Sequence, residues 1–272
     1  MKKVIFLLLC ISAYVIWGSP LPVDHSGKTT ANVAPSSPLN IQTSAKNLVF
    51  DLLPKQANWP RPLKILWQAS HIKATARAAI PSNNWVALKD IPQTLQQGLI
   101  AVEDRRFYEH YGVDMDGIIR ALLVNIQADS IVQGGSTLTQ QLVKNTLLDS
   151  EQSMERKIFE AFLALWIESQ NSKEDILEIY LNTTYFGAGA TGIKEAANIY
   201  FDVEPSQLTL AESATLAGLP NAPSALNPFE NPVGCKSRRD LVLDLMVKYG
   251  YTTLTEAKTA SNTPIILNNN IP

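Results

Sequence analysis

The chain has 272 residues, 46% of them apolar and 18% charged, with a formal net charge of -2. That length buries one good core with room for a small appended lobe, and it is short for two full enzyme domains. The charge balance lacks the basic excess of a nucleic-acid partner. With only Cys10 and Cys235 present, an exported chain would hold no internal disulfide, so packing must supply its stability.

Met1-Lys-Lys3 followed by the apolar run Val4 to Trp17 has the positive start and hydrophobic segment of an export signal. At 14 residues the run is shorter than a standard spanning helix, and a signal anchor and a cleaved signal peptide both fit residues 1 to 18. Cys10 follows three leucines instead of the small residues of a lipoprotein cleavage site, which argues against lipidation. Residues 19 to 47 are rich in Ser, Thr, Pro and Asn and read as a flexible tether. The lead-in from 48 to 84 is broken by Pro54, Pro60 and Pro62, with a helix predicted from Leu63 to Ala79.

From Pro92 onward the pattern is helical, without strands of alternating residues. Leu95, Leu99, Val102 and Phe107 line one side of a helix that Pro92 starts and that ends near Glu103. Asp114 or Asp116 suits the cap of a second helix carrying Arg120, Leu123 and Val124. The turn at Gln133-Gly-Gly135 leads to a third, on which Ser136, Gln140 and Lys144 are expected at one-turn spacing on one face. Asp149-x-x-Gln152, Ser172-x-x-Asp175 and Thr209-x-x-Glu212 have capping-box form and predict further helix starts. The fourth helix, apolar almost all round from Phe159 to Ile167, is predicted to be central and buried. These elements predict an all-α domain over residues 85 to 265.

Glu103 and Glu160 are carboxylates on apolar helices, an arrangement that acid/base sugar chemistry uses, and both hydrolysis and transfer fit it. The plainer reading of Glu160 is an i, i+4 ion pair with Arg156. Arg120, Lys144 and Arg156 suit an anionic group such as a diphosphate, or equally a solvated surface. Gly134-Gly-Ser-Thr137 is an ordinary helix start, and His110 reads as a packed histidine; His25 and His71 lie far off, so no metal cluster is suggested. Ser70-His-Ile-Lys73, Ser82-Asn-Asn84 and Lys258-Thr-Ala260 imitate serine transpeptidase motifs, but the first two stand only 12 residues apart, which excludes that enzyme.

Five motifs then occur in order: Glu103-Asp-Arg-Arg-Phe-Tyr-Glu-His-Tyr-Gly112; Gly134-Gly-Ser-Thr-Leu-Thr-Gln-Gln141 with Lys144-Asn145; Arg156-Lys-Ile-Phe-Glu160; Lys173-Glu-Asp-Ile-Leu-Glu-Ile-Tyr-Leu-Asn182 with Phe186-Gly187; and Ala211 to Pro223. In these, over roughly residues 85 to 250, the chain resembles the peptidoglycan glycosyltransferases, glycosyltransferase family 51, which include monofunctional transglycosylases and the N-terminal domains of bifunctional penicillin-binding proteins. The resemblance implies a lysozyme-like helical lobe beside a smaller, membrane-associated jaw near residues 113 to 135, where Ile118, Ile119, Leu122, Leu123, Ile131 and Val132 would meet lipid or else the core.

It further implies polymerisation of lipid II into glycan strands with inversion and release of undecaprenyl diphosphate. Glu103 would be the general base. Glu160 would orient the leaving group or its cations. Asp104, Ser136, Thr137 and Gln140 would shape the donor site, with Arg120, Lys144 and Arg156 facing the diphosphate. A divalent cation, magnesium or manganese, would assist there. The partners implied are lipid II, the growing strand, the bacterial inner membrane, which a single N-terminal segment would anchor with the domain on its periplasmic side, and other cell-wall proteins; nucleic acid is not among them.

Three departures from the family pattern stand out: Gln152 where an arginine is usual, Asp202-Val203 for Gly-Lys, and Leu226 for Tyr. The missing charge at Gln152 motivates a second reading, a weakly active or inactive member that binds glycan or lipid II as a scaffold in an envelope machine. A muramidase is a third. The motifs and the length of the chain favour a monofunctional polymerase.

Overall fold

The computed structural model describes residues 59–128, 134–149 and 153–268. Two short helices open the domain, α1 (Arg61–Ser70) and α2 (Ile72–Ala79), broken at His71 where a single helix was predicted. His71 has left the helical backbone region, and its ring stacks on Trp67. Ile65, Ala69, Ile72 and Ala76 are buried in the common core, so this lead-in packs into the domain.

The chain continues through α3 (Gln93–Glu103), α4 (Met115–Ala128), α5 (Leu138–Leu147), α6 (Met154–Glu168) and α7 (Lys173–Thr183). A hairpin of β1 (Tyr185–Gly187) and β2 (Ala190–Thr191) leads to α8 (Ile193–Phe201), α9 (Leu210–Gly218), α10 (Pro232–Lys248) and α11 (Leu254–Asn262). The all-α class expected from caps and periodicity is therefore what the chain adopts. The antiparallel hairpin is the one departure among the described residues.

The central element is α9, not α6. Seven residues of α9, from Ala211 and Ser213 to Gly218, are buried, because its small side chains let α3 and α10 close on it. Gly218 is required there, since a Cβ at this position would lie 2.8 Å from Cγ of Arg238 on α10. Helix α6 buries only Glu160, Leu163, Ala164 and Ile167, and it exposes Met154, Ile158 and Leu165 to solvent. Its uniformly apolar composition thus misled on burial. α6 packs mainly against α5 and α1, which covers one stripe of it.

Caps decide several boundaries. Thr209 and Ser172 cap α9 and α7 as predicted. The cap of α6 is Ser153, which accepts from the Arg156 amide, whereas Asp149 is exposed and ion-paired with Arg61. Gln152, Ile131 and Val132 lie outside the described residues. Thr137 caps α5 in a full capping box with Gln140, which leaves Ser136 before the helix rather than on its face.

Helix α4 buries only Gly117 and Ala121. Met115, Ile118, Ile119, Leu122, Leu123 and Ile126 are exposed, an apolar face larger than isolated surface residues explain.

Candidate active site

A cleft of about 550 Å³ opens between the C-terminal end of α3, helix α4, the Gly134–Thr137 approach to α5, and one face of α10. Glu103, Asp104, Arg105, Arg120, Ser136, Thr137, Gln141 and Arg238 line it.

Glu103 sits at the last turn of α3 with its side chain only 7% exposed. Each of its carboxylate oxygens has a donor. Arg238 Nη2 reaches Oε1 at 3.0 Å, and Gln141 Nε2 reaches Oε2 at 2.9 Å. Gln141 is oriented in turn, because its Oε1 accepts from the Tyr180 hydroxyl at 2.9 Å. Burial pushes the Tyr180 phenol well above its ordinary range, with the Glu103 charge adding to this, so the hydroxyl stays a donor and the amide must turn its NH₂ to Glu103. Arg238 is itself fixed, donating from Nε to the Gly218 carbonyl at 3.2 Å. The result is a carboxylate held in one orientation at a polar cleft.

Asp104, the next residue, has a different role. Its side chain is buried and accepts from His110 Nε2 at 3.0 Å and from the Leu138 amide at the start of α5 at 2.9 Å. His110 Nδ1 accepts from the Gly112 amide at 3.1 Å, which assigns the proton to Nε2. Gly112 has φ +90°, and a Cβ there would meet the Ala164 backbone at 2.7 Å. Thr137 Oγ1 donates to the Gly112 carbonyl at 2.6 Å. Asp104, His110, Gly112 and Thr137 thus lock the loop after Glu103 onto α5 and α6.

Glu160 is not in the cleft wall. Its side chain is 1% exposed, and its Oε1 takes Lys157 Nζ at hydrogen-bond contact and Gln140 Nε2 at 3.4 Å. Arg156, expected as its partner, approaches Oε2 only to 3.8 Å, and both that oxygen and Arg156 Nε lack a hydrogen-bond partner. Lys157 Nζ also donates to Ser136 Oγ at 2.8 Å, so Glu160 meets the cleft through Lys157 and Ser136. Lys144 is exposed on α5 and outside the lining. The structure therefore brings together Glu103, Asp104, Arg120, Ser136 and Thr137; it sets Gln140, Arg156 and Glu160 behind them and Lys144 apart.

Three contributors escaped the sequence. Gln141 and Tyr180 stood in motifs without a role, and Arg238 lies 135 residues from Glu103. The available signal was an Arg238-Arg239 pair within a helix whose neighbours Val242, Leu243 and Met246 are buried. Buried Arg239 answers it differently, capping the end of α11 through the Ser261 and Thr263 carbonyls.

Among the described residues no three His, Cys, Asp or Glu side chains converge, and Glu160 is surrounded by Lys157 and Arg156.

The sequence profile of the Transglycosylase family matches residues 70–247. The chain is 43% identical over 228 residues to penicillin-binding protein 1A of Aquifex aeolicus, covering 80% of this chain and 31% of that protein. It is 48% identical over 186 residues to penicillin-binding protein 1A of Rickettsia felis, covering 67% and 24%. The crystal structure of penicillin-binding protein 1A from Haemophilus influenzae aligns with a TM-score of 0.40 at 24% identity, over 68% of this chain and 18% of that one. The chain thus spans less than a third of the length of the two curated relatives. With the profile covering residues 70 to 247 and the relatives above 40% identity, the chain belongs to the transglycosylase family, the glycosyltransferase family 51 type.

Proposed function

We propose that this protein is a peptidoglycan glycosyltransferase that polymerises lipid II into glycan strands, inverting the anomeric centre and releasing undecaprenyl diphosphate. The observation that supports this reading best is the Glu103 carboxylate, oriented by Arg238 and Gln141 in a cleft whose other lining charges are mostly cationic.

Glu103 takes the proton from the 4-hydroxyl of the acceptor sugar as that oxygen bonds to the anomeric carbon of the donor. The bond from that carbon to the diphosphate breaks, and the diphosphate leaves with the electron pair. A diphosphate leaves well without protonation, so what it needs is charge stabilisation. Arg120 across the cleft and Lys157 behind Ser136 supply it, with Lys144 and Arg156 adding to the positive field. Glu160 keeps Lys157 in place; its burial away from the cleft wall suits a positioning role and disfavours a second acid/base carboxylate, as a muramidase would need. Lys157, on the next helix in the chain, compensates for the arginine that the family usually has at position 152.

The exposed apolar face of α4 fits contact with the lipid interface, the place where a lipid-linked donor is found. Among the described residues no helix is long and apolar enough to cross a membrane. Anchoring of the domain on the outer face of the inner membrane rests on Val4 to Trp17.

The test is incubation of the purified protein with labelled lipid II, resolving the products by size, beside Glu103→Gln. Polymer from the parent and none from the variant supports the proposal. Binding without turnover points to a scaffold, and cleavage of preformed glycan to a hydrolase.

A further inference from the structure

Four cations line the cleft: Arg105, Arg120, Arg238 and Lys248. Arg238 is paired with Glu103. Arg105 and Lys248 have no acid within ion-pair distance among the described residues, and both are exposed. Each instead approaches the same phenol. Arg105 Nη1 donates to the Tyr249 hydroxyl at 3.3 Å, and Lys248 Nζ lies 5.7 Å from the Tyr249 ring centre. Tyr249 is half-buried and lines the cleft beside them.

Their place follows from helix geometry. Arg238, Leu241, Leu245 and Lys248 recur at three- and four-residue steps, so they form one face of α10, and all four line the cleft. Ten residues of helix carry this face about 15 Å from Arg238, at the base, to Lys248. Arg105 reaches the same far end from the loop after Glu103. Ser136 and Lys157 lie on a different wall, with α5 and α6. The cleft thus has cations on two sides of Glu103, whereas the leaving diphosphate of one donor accounts for one side only. An aromatic face flanked by two uncompensated cations suits a sugar carrying an anionic arm.

Resting on the glycosyltransferase reading, we propose that Arg105, Lys248 and Tyr249 form a subsite for the acceptor substrate, Tyr249 meeting a sugar ring and the two cations an anionic substituent. Stem-peptide carboxylates and the acceptor's own diphosphate share that chemistry. The plain alternative for Lys248, that it only offsets the C-terminal dipole of α10, leaves Arg105 and the cleft-facing ring unexplained.

The test is steady-state polymerisation of lipid II by Arg105→Ala/Lys248→Ala and by Tyr249→Ala, with Lys258→Ala on α11 as a control and Arg105→Lys/Lys248→Arg as a charge-preserving variant. The expected result is a KM raised about tenfold or more in the double variant, kcat within about twofold, and recovery in the charge-preserving variant. If amidating the stem carboxylates raises the KM of the parent and abolishes the difference between parent and variant, the arm is the stem. If a soluble acceptor lacking the diphosphate does so, the arm is the diphosphate. An unchanged KM in the double variant, or a loss confined to kcat, overturns the subsite. Binding of fluorescent lipid II to the Glu103→Gln protein separates the two proposals: a parent that binds but never polymerises sinks the enzyme reading, while the same tenfold weakening on removing the two cations still decides the subsite.

Discussion

Arg238 on α10 donates to the Glu103 carboxylate at 3.0 Å, joining the end of one helix to the face of another across 135 residues of sequence. This contact and the one from Gln141 hold the proposed base in a single orientation, and they bear on rate more than on binding. Arg238→Met is expected to lower kcat between about tenfold and a hundredfold, the scale of a charge-assisted hydrogen bond, with a smaller change in KM. Arg238→Lys should recover part of the loss. Initial rates with lipid II, alongside thermal melts to check folding, decide it; a KM effect alone would place Arg238 on substrate instead.

Glu160 and Lys157 form a coupled pair behind Ser136. Removing either partner strands the other, so Glu160→Gln and Lys157→Met should each cost activity, and the double variant should cost clearly less than the two combined. A coupling of about 0.5 to 3 kcal/mol in a double-mutant cycle is the expected size. Strict additivity would mean that Glu160 acts on the substrate independently of Lys157.

Asp202 stands where the family usually has glycine, and the backbone explains the usual choice. The residue ends α8 in the left-handed region, φ 57°, accepting a strain that glycine does not feel. Asp202→Gly should stabilise the domain by about 0.5 to 1 kcal/mol, the strain relieved less the chain entropy gained by the unfolded state. Activity should not change, because Asp202 is exposed and outside the cleft. Chemical denaturation measures the first part. A lower midpoint would show that the aspartate is doing something the backbone does not reveal.

Cys235 is buried on α10, and that burial pushes its thiol from 9.0 up to about 11. A group whose folded pKa is raised contributes stability fully below its unfolded value and loses it as pH rises through the folded value. Between about pH 9 and about pH 11 the parent should therefore lose stability that Cys235→Ala does not. Near neutral pH the native thiol should resist alkylation and react on unfolding. Rapid labelling of the native protein at pH 7 would contradict this.

Sequence alone was enough for the all-α class and most helix starts, and it singled out Glu103 as a candidate. Caps and 3.6-residue periodicity are local properties, and Thr209, Ser172 and Pro92 act within a turn of themselves. The contiguous motif also placed Glu103 beside Asp104 and His110. It did not separate their surroundings, since both line the cleft but Asp104 is consumed by His110 and the α5 amide while Glu103 is held by Arg238 and Gln141. Burial of α6 was misjudged for a related reason: composition reports what a helix can bury, and neighbours decide which stripe is covered. Glu160 likewise carried the same apolar setting as Glu103 and ended behind Lys157, out of the cleft. What only tertiary structure decided was the company of the carboxylate. Arg238, Gln141 and Tyr180 come from three helices, and α10 can bring its arginine to Glu103 because the small residues of α9 let α3 and α10 close on it, with Gly218 leaving room for the Arg238 side chain.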